Sequence, residues 1–475
     1  MNYTSKKDMQ GLLQQQRMSF QKSGFPPLEV RVDRLDRLTS MIKKYDREIC
    51  DTIAKDYGTR SFEISRLTEV FVTIDQAKHA ILSISEWMQP EQRQAPSPTN
   101  EAAAEVRYQP KGVVGIIAPW NFPVHLILSP LVCVLAAGNR AMLKPSEITS
   151  HTAQLISEMV AEFFDPSEVS VILGDAKVSA QFSQLPFDHL VFTGSTEVGR
   201  KVMCAAAKNL TPVTLELGGK SPVVIDKGVD LKTVSLRLMT GKLFNTGQIC
   251  ICPDYAFIPD DSVVPFLSEL KKATASLYPS IADNPDYTAI VNDNHFSRLQ
   301  YLIDSAANEG TEIVTLNPSN EAFDETQNRK MLPRILINPS SNSPVMQSEI
   351  FGPLLVIITY RDIQEVIDHI QAHGHPLALY YFGNNDAHEA ILRDNVLAGG
   401  MAVDDVIVQA ICHALPFGGI GASGVGCYHG IDGFREFSHN KAVYAQTPVE
   451  EIAGFTRPPY SDEMRGMMQQ QVSES

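Results

Sequence analysis

The sequence predicts an α/β protein with two lobes, each an open and mostly parallel sheet that carries helices on both faces. Three observations predict it. From about residue 113 onward short β-rich runs alternate with helical segments, the pattern of strands joined by crossover helices. The alternation restarts at Ser221-Pro222-Val223-Val224-Ile225, just after Gly218-Gly219, which places the boundary between the lobes at that glycine pair. The chain of 475 residues has room for roughly three structural units at about 150 residues each.

In chain order, Leu35, Leu38, Ile42, Tyr45, Ile49 and Ile53 recur every three or four positions and share one helical face. Val70, Ile74, Ala77, Ile81 and Ile84 repeat the pattern, so the first 88 residues read as helices packed on something larger. Pro90 to Asn100, with Pro96 and Pro98, reads as a loop. Strands of the first lobe are predicted at Val113–Ile117, Ala141–Leu143, Val169–Leu173 and Leu190–Phe192. Those of the second are predicted at Ser221–Ile225, Tyr255–Ile258 and Leu354–Ile358. The longest apolar stretch, Leu126–Gly138, contains Ser129 and Pro130 and falls short of the roughly 18 residues of a membrane span, so it reads as a buried helix. The last fifteen residues, rich in Gln, Met and Ser, read as a frayed polar tail.

Apolar residues make up 44% and charged residues 20%, an ordinary globular composition. The 55 acidic and 40 basic side chains leave a net charge of −15, which repels polyphosphates and anionic lipid, so neither nucleic acid nor a membrane surface is expected as a partner. Seven unevenly spaced cysteines fit a reducing compartment better than a disulfide framework. With no apolar core or cleavage site for secretion after Met1-Asn2-Tyr3-Thr4, the expected location is the cytoplasm.

Several short motifs could carry chemistry. Cys250 closes Asn245-Thr246-Gly247-Gln248-Ile249-Cys250 between a helical segment and a strand; it is a candidate nucleophile, though taken alone a small buried hydrophobe explains it better. Glu216 stands directly before Leu217-Gly218-Gly219-Lys220, where glycines permit close approach of a ligand, and a turn with a surface glutamate is the plainer account. Asn121, in Pro119-Trp120-Asn121-Phe122-Pro123, follows a strand and offers an amide that could donate to an oxyanion or cap a turn. Phe192-Thr193-Gly194-Ser195-Thr196-Glu197-Val198-Gly199 joins a strand to a helix whose first N–H groups would face a ligand, but it has neither the P-loop lysine nor the dinucleotide glycine spacing. Cys250-x-Cys252 and the group His369, His373 and His375 lack the paired ligands of a zinc site, so no metal is expected and the histidines read as a solvated face.

Together with Lys144-Pro145-Ser146-Glu147, Glu349-Ile350-Phe351-Gly352-Pro353 and Pro416-Phe417-Gly418-Gly419, these motifs in this order resemble the NAD(P)-dependent aldehyde dehydrogenases over roughly residues 30 to 445. The short N-terminus, Cys250-Ile251-Cys252-Pro253-Asp254-Tyr255 and Gly433-Phe434-Arg435-Glu436-Phe437-Ser438-His439 are most similar to the class 3 branch, especially its coniferyl aldehyde dehydrogenases. Two departures stand out: Cys252 where many relatives have Ala, a thiol that oxidation could bridge to Cys250, and Asp404-Asp405 in place of an Asn-Asp pair.

The resemblance implies a Rossmann-like NAD-binding lobe (1–91 and 112–218), a catalytic lobe (219–424), a bridging β element (92–111 and 425–455) used for homodimer contact, and a tail (456–475). It implies Cys250 as nucleophile, Glu216 as the base that hydrolyses a thioester, and Asn121 as oxyanion donor. For the cofactor it implies Lys144 and Glu147 at the adenosine ribose, and Glu349 and Phe351 at the nicotinamide ribose. Thr193, Gly194, Ser195 and Val198 would lie at the helix start, Ile117, Pro119 and Trp120 on the strand-end wall, and Gly174, Leu217 and Gly218 in the same set. An anionic Glu147 favours NAD over NADP. Two other readings stay open: a coenzyme A-acylating dehydrogenase, which would not need Glu216, and a non-catalytic NAD-binding structural protein.

Overall fold

The computed structural model describes residues 3–95, 102–449 and 457–474. Residues 96–101 of the expected bridging hairpin, and 450–456 at the junction of bridging element and tail, lie outside the described residues, as do 1, 2 and 475.

Strands β3 (Val113–Ile117), β4 (Arg140–Lys144) and β6 (His189–Thr193) are buried at every position, as parallel strands covered on both faces must be. With β5 (Val169–Val171), β7 (Val213–Glu216) and β15 (Gly424–Val425) they form a six-stranded sheet ordered β15-β7-β6-β3-β4-β5. It is parallel except where β15 runs antiparallel to β7, pairing Gly424 with Glu216. Across β6 and β7 Thr193 is paired with Glu216, so both stand at carboxyl ends of strands, where open α/β sheets bind ligands.

The second sheet has seven strands: β10 (Glu312–Thr315), β11 (Arg334–Ile337), β12 (Leu354–Tyr360), β9 (Pro253–Pro259), β8 (Ser221–Ile225), β13 (Ala378–Phe382) and β14 (Gly400–Val403), in that spatial order. Only the β10–β11 pair is antiparallel. A third sheet joins β1 (Glu91–Arg93), β2 (Ala103–Pro110) and β16 (Ser438–Ala445), all antiparallel.

The apolar stretch after Asn121 is the helix His125–Ala136, buried from Leu126 onward and enclosed by the helices Leu28–Lys44, Val72–Trp87 and Gly430–Glu436. A helix apolar on all sides can only be stable in this surrounded position. No helix among the described residues is long and apolar enough to cross a membrane.

Four expectations need correction. The face from Leu35 to Ile53 is shared by two helices, Leu28–Lys44 and Asp46–Tyr57, because the backbone leaves the helix at Tyr45 (φ −101°, ψ 16°) while its hydroxyl bonds Glu162 at 2.6 Å. The segment read as a loop from Pro90 contains β1, which pairs with β2. The tail is helical over Asp462–Glu474; Ser461 Oγ accepts from Met464 N–H at 3.1 Å, and Asp462 and Glu463 suit the positive end of the helix dipole. The histidines are not all solvated: His373 and His375 are exposed, but His369 packs on Tyr255 and Phe257 with ring centroids 5.6 and 5.3 Å away, beside Val366 and Ile370 on the inward face of Ile363–Ala372.

Candidate active site

The loop carrying Cys250 turns sharply and is pinned by side chains. After the helix Leu231–Leu243 the short turn Phe244–Gly247 places Asn245, Thr246 and Gly247 at φ 49°, 53° and 76°. For the two non-glycine residues such angles cost about 1–3 kcal/mol each and persist only where the surroundings enforce them. Here Thr246 Oγ1 donates to Thr288 O at 2.6 Å, and Gln248 Nε2 donates to Asn245 O at 3.0 Å and Ala289 O at 3.1 Å. At Gly247 a Cβ would stand 2.2 Å from Gly352 O, which leaves glycine the only fit.

Beyond this turn Cys250 faces a cavity of about 490 Å³ that is also lined by Asn121 and Glu216. Cys252 is absent from that lining: its thiol is buried against Lys242 O and Pro253 O at 3.8 and 3.5 Å. Asn121 Nδ2 donates to Gln248 O at 3.2 Å, and an amide has a second N–H to offer. Glu216, 2% exposed, ends β7, and neither of its carboxyl oxygens has a hydrogen-bond partner among the described residues. Burial raises the Glu216 carboxyl well above the ordinary carboxylate range, and the nearby Glu436 adds to the effect. Burial, with Glu349 and Glu216 close by, pushes the Cys250 thiol up to about 12. Glu349 is raised to about 8 by burial and by Asp254.

Of the other residues singled out in the sequence, Pro119, Trp120, Thr193, Gly194, Ser195, Leu217, Gly218, Glu349 and Phe351 line the same cavity. Ile117, Lys144, Glu147, Gly174 and Val198 do not. Lys144 is buried with its amine on Pro145 O at 2.7 Å and on Glu147 at 3.4 Å; Val198 is 43% exposed on the first turn of Thr196–Ala207. The close approach expected over Gly218 is made by the protein itself, since a Cβ there would stand 2.1 Å from Glu349 Oε2.

The cavity also contains residues that sequence reading passed over, chief among them His295 and Arg298. They are three apart near the start of Asp293–Asn308, capped by Asn292, a spacing that puts both on one helical face and was the available signal. The His295 ring lies 4.7 Å from Trp120, whose indole meets Phe351 edge-on at 5.3 Å. Arg298 donates to the carbonyls of Glu349, at 3.1 Å, and Ile350.

Residues 1–443 match the model of the aldehyde dehydrogenase family. The chain belongs to that family. Among curated relatives of this aldehyde dehydrogenase, the probable coniferyl aldehyde dehydrogenase of Caulobacter vibrioides is 44% identical over 469 residues, covering 98% of this chain and 96% of the relative. The coniferyl aldehyde dehydrogenase of a Pseudomonas species is 44% identical over 93% of this chain and 91% of its own. The dimeric NADP-preferring aldehyde dehydrogenase of mouse is 37% identical over 96% and 98%. A substrate-bound structure of Staphylococcus aureus AldH superposes with a TM-score of 0.91 at 33% identity, covering 99% of each chain. The enzyme is therefore an oxidoreductase that oxidises aldehydes with NAD(P) as acceptor, and these relatives favour neither the coenzyme A-acylating nor the non-catalytic reading.

The cavity suits such a cofactor. Thr193 Oγ1, both Glu216 oxygens and Glu349 Oε1 are buried there without partners among the described residues. The N-terminus of Thr196–Ala207 opens onto it, and Trp120 and Phe351 supply flat apolar walls.

Proposed function

We propose that the enzyme converts an aromatic, coniferyl aldehyde-like substrate to its carboxylate through a thioester on Cys250. The observation that carries this reading is the meeting of the Cys250 thiol, the Asn121 amide and the Glu216 carboxyl on one cavity. The Cys250 thiol, which burial holds up, attacks as its thiolate once its proton has passed to solvent, and the Glu216 carboxyl in the same space is kept for the later hydrolysis.

Sulfur then bonds to the aldehyde carbon, and the new oxyanion is met by the free N–H of Asn121 and the backbone N–H of Cys250. NAD(P)+ would be held by Thr193, Gly194, Ser195, Glu349 and Phe351, with Lys144 and Glu147 at its adenosine ribose, and when bound would accept the hydride as the C–H bond of the former aldehyde carbon breaks. What remains on Cys250 is a thioester. Glu216 takes a proton from water, the water oxygen bonds to the acyl carbon, the C–S bond breaks and the carboxylate leaves.

Cofactor binding is assigned to residues 1–91 and 112–218, catalysis to 219–424, and bridging to 92–111 and 425–455. The Glu147 carboxylate favours NAD, with NADP as the alternative. The name of the mouse relative supports a homodimer, and the two coniferyl aldehyde dehydrogenase relatives support the substrate class. A cytoplasmic site of action rests on the composition alone.

The test is cofactor reduction with a panel of aromatic and aliphatic aldehydes. Turnover with coniferyl aldehyde above the aliphatic members is expected. No reduction with any aldehyde in a folded sample overturns the reading, and a preference for aliphatic substrates overturns the substrate class.

A further inference from the structure

We propose that Arg60 and Glu69 are positioning residues that fix the oxyanion donor Asn121; this rests on the role given to Asn121 above. Glu69 lies in an unusual element. Between the short helix Phe62–Ser65 and the helix Val72–Trp87 the chain makes a π-helical turn, Arg66–Phe71, a geometry that inserts a residue and re-aims the side chains around it. The turn delivers the Glu69 carboxylate to the interior, where it pairs with Arg60 Nη2 at 2.9 Å, both side chains being 0% exposed.

The pair grips one short segment. Arg60 Nη1 donates to Asn121 O at 2.7 Å, and Glu69 Oε2 accepts from the backbone N–H groups of Val124 at 3.0 Å and His125 at 2.8 Å. Among the described residues, apart from the ion pair itself and a long contact to Thr68 at 3.5 Å, every side-chain hydrogen bond of the two residues ends on the main chain of residues 121–125. Tyr57 OH and Asn245 Nδ2 reinforce the grip on Asn121 O at 3.2 and 3.3 Å. The guanidinium sits between the rings of Tyr57 and Phe122, 5.1 and 5.0 Å from their centroids. With the peptide of Asn121 held on this side and its amide bonded to Gln248 O, two residues before Cys250, the remaining N–H has a fixed direction. A fully buried ion pair is a poor way to gain stability, since apolar residues of similar volume commonly do as well. Its presence here, with Arg60 Nε left without a partner among the described residues, fits a role in geometry.

The test is a double-mutant cycle between Arg60→Lys and Asn121→Ala in the full-length enzyme. Arg60→Lys keeps the charge and loses the fork, so kcat should fall about tenfold or more, with Asn121→Ala costing about 100-fold. The KM for NAD(P) and the rate of Cys250 alkylation by iodoacetamide should stay within a factor of about two. Because Arg60 acts through Asn121, the double variant should be no slower than Asn121→Ala alone. Full multiplication of the two losses, or alkylation slowed in parallel with kcat, overturns the proposal. Should Arg60→Lys not fold, the apolar pair Arg60→Met with Glu69→Leu enters the same cycle, and wild-type kcat in that folded variant overturns it equally. Wild-type kcat in Asn121→Ala overturns the oxyanion role itself, an outcome separate from failure of the Arg60 arm.

Discussion

The Thr214 hydroxyl donates to the Glu436 carboxylate at 2.5 Å, two residues before Glu216 and on the same face of β7. The contact is the end of a directed chain: Lys111 Nζ meets His189 Nδ1 at 3.0 Å, leaving His189 Nε2–H to reach Thr214 Oγ1 at 2.7 Å. Burial, with Lys111 alongside, keeps His189 neutral, as such a chain requires. Glycine at 426 makes room, since a Cβ there would stand 2.6 Å from Glu436 Oε1. A fixed negative charge is thus placed near the carboxyl proposed as the base.

Replacing that charge by Glu436→Gln should lower the pKa of Glu216, because one cause of its elevation disappears. The acidic limb of the kcat–pH profile should then move to lower pH. A profile that does not move would sink the electrostatic role of Glu436.

Glu216→Gln should leave the first turnover and abolish the next ones. Reduced cofactor should appear in a burst close to one per active site, followed by a steady rate lower by about 100-fold or more. Full steady-state turnover in this variant would count against Glu216 as the hydrolytic base.

Glu147→Gln should relax cofactor choice. Removing a like charge near the expected ribose should raise kcat/KM for NADP relative to NAD by about tenfold. An unaltered ratio would place the discrimination elsewhere.

Acid should destabilise the fold through buried histidines. Burial lowers His125 to about 4 and His429 to about 3, from an ordinary 6.5. The unfolded chain binds these protons first, so the stability they confer is complete above about pH 6.5 and declines as pH falls toward the folded values. Between about pH 7 and pH 5 each should cost about 2 kcal/mol, visible as a lower melting temperature. Glu349, raised to about 8, works in the opposite sense: its contribution is full below about 4.5 and is lost as pH rises through 8. His429→Asn should flatten the acid decline, and an equally steep decline in that variant would refute the assignment.

Much of this was legible in the sequence because it is local. Buried parallel strands such as Val113–Ile117 and Ser221–Ile225 announce themselves as apolar runs, and the motifs around Asn121, Glu216 and Cys250, each with a plainer account taken alone, point to a site through their joint order and family resemblance. What the sequence left unread depends on partners far along the chain. His295 and Arg298 come to the cavity on a helix with no glycine-rich motif, and the bond from Arg60 to Asn121 spans 61 positions. The break at Tyr45 escaped notice because the apolar repeat continues across it, and the terminal helix because its composition is that of a solvated tail.

The strand pairing at Glu216 has a consequence for biosynthesis. Gly424, which lies beside Glu216 across β15 and β7, comes from near the carboxyl end of the chain, as does β16, which completes the sheet begun by β1 and β2. On the ribosome the first lobe therefore waits with an open edge while the second lobe is translated, and Gly424 and Val425 close the wall beside the Glu216 carboxylate only after that.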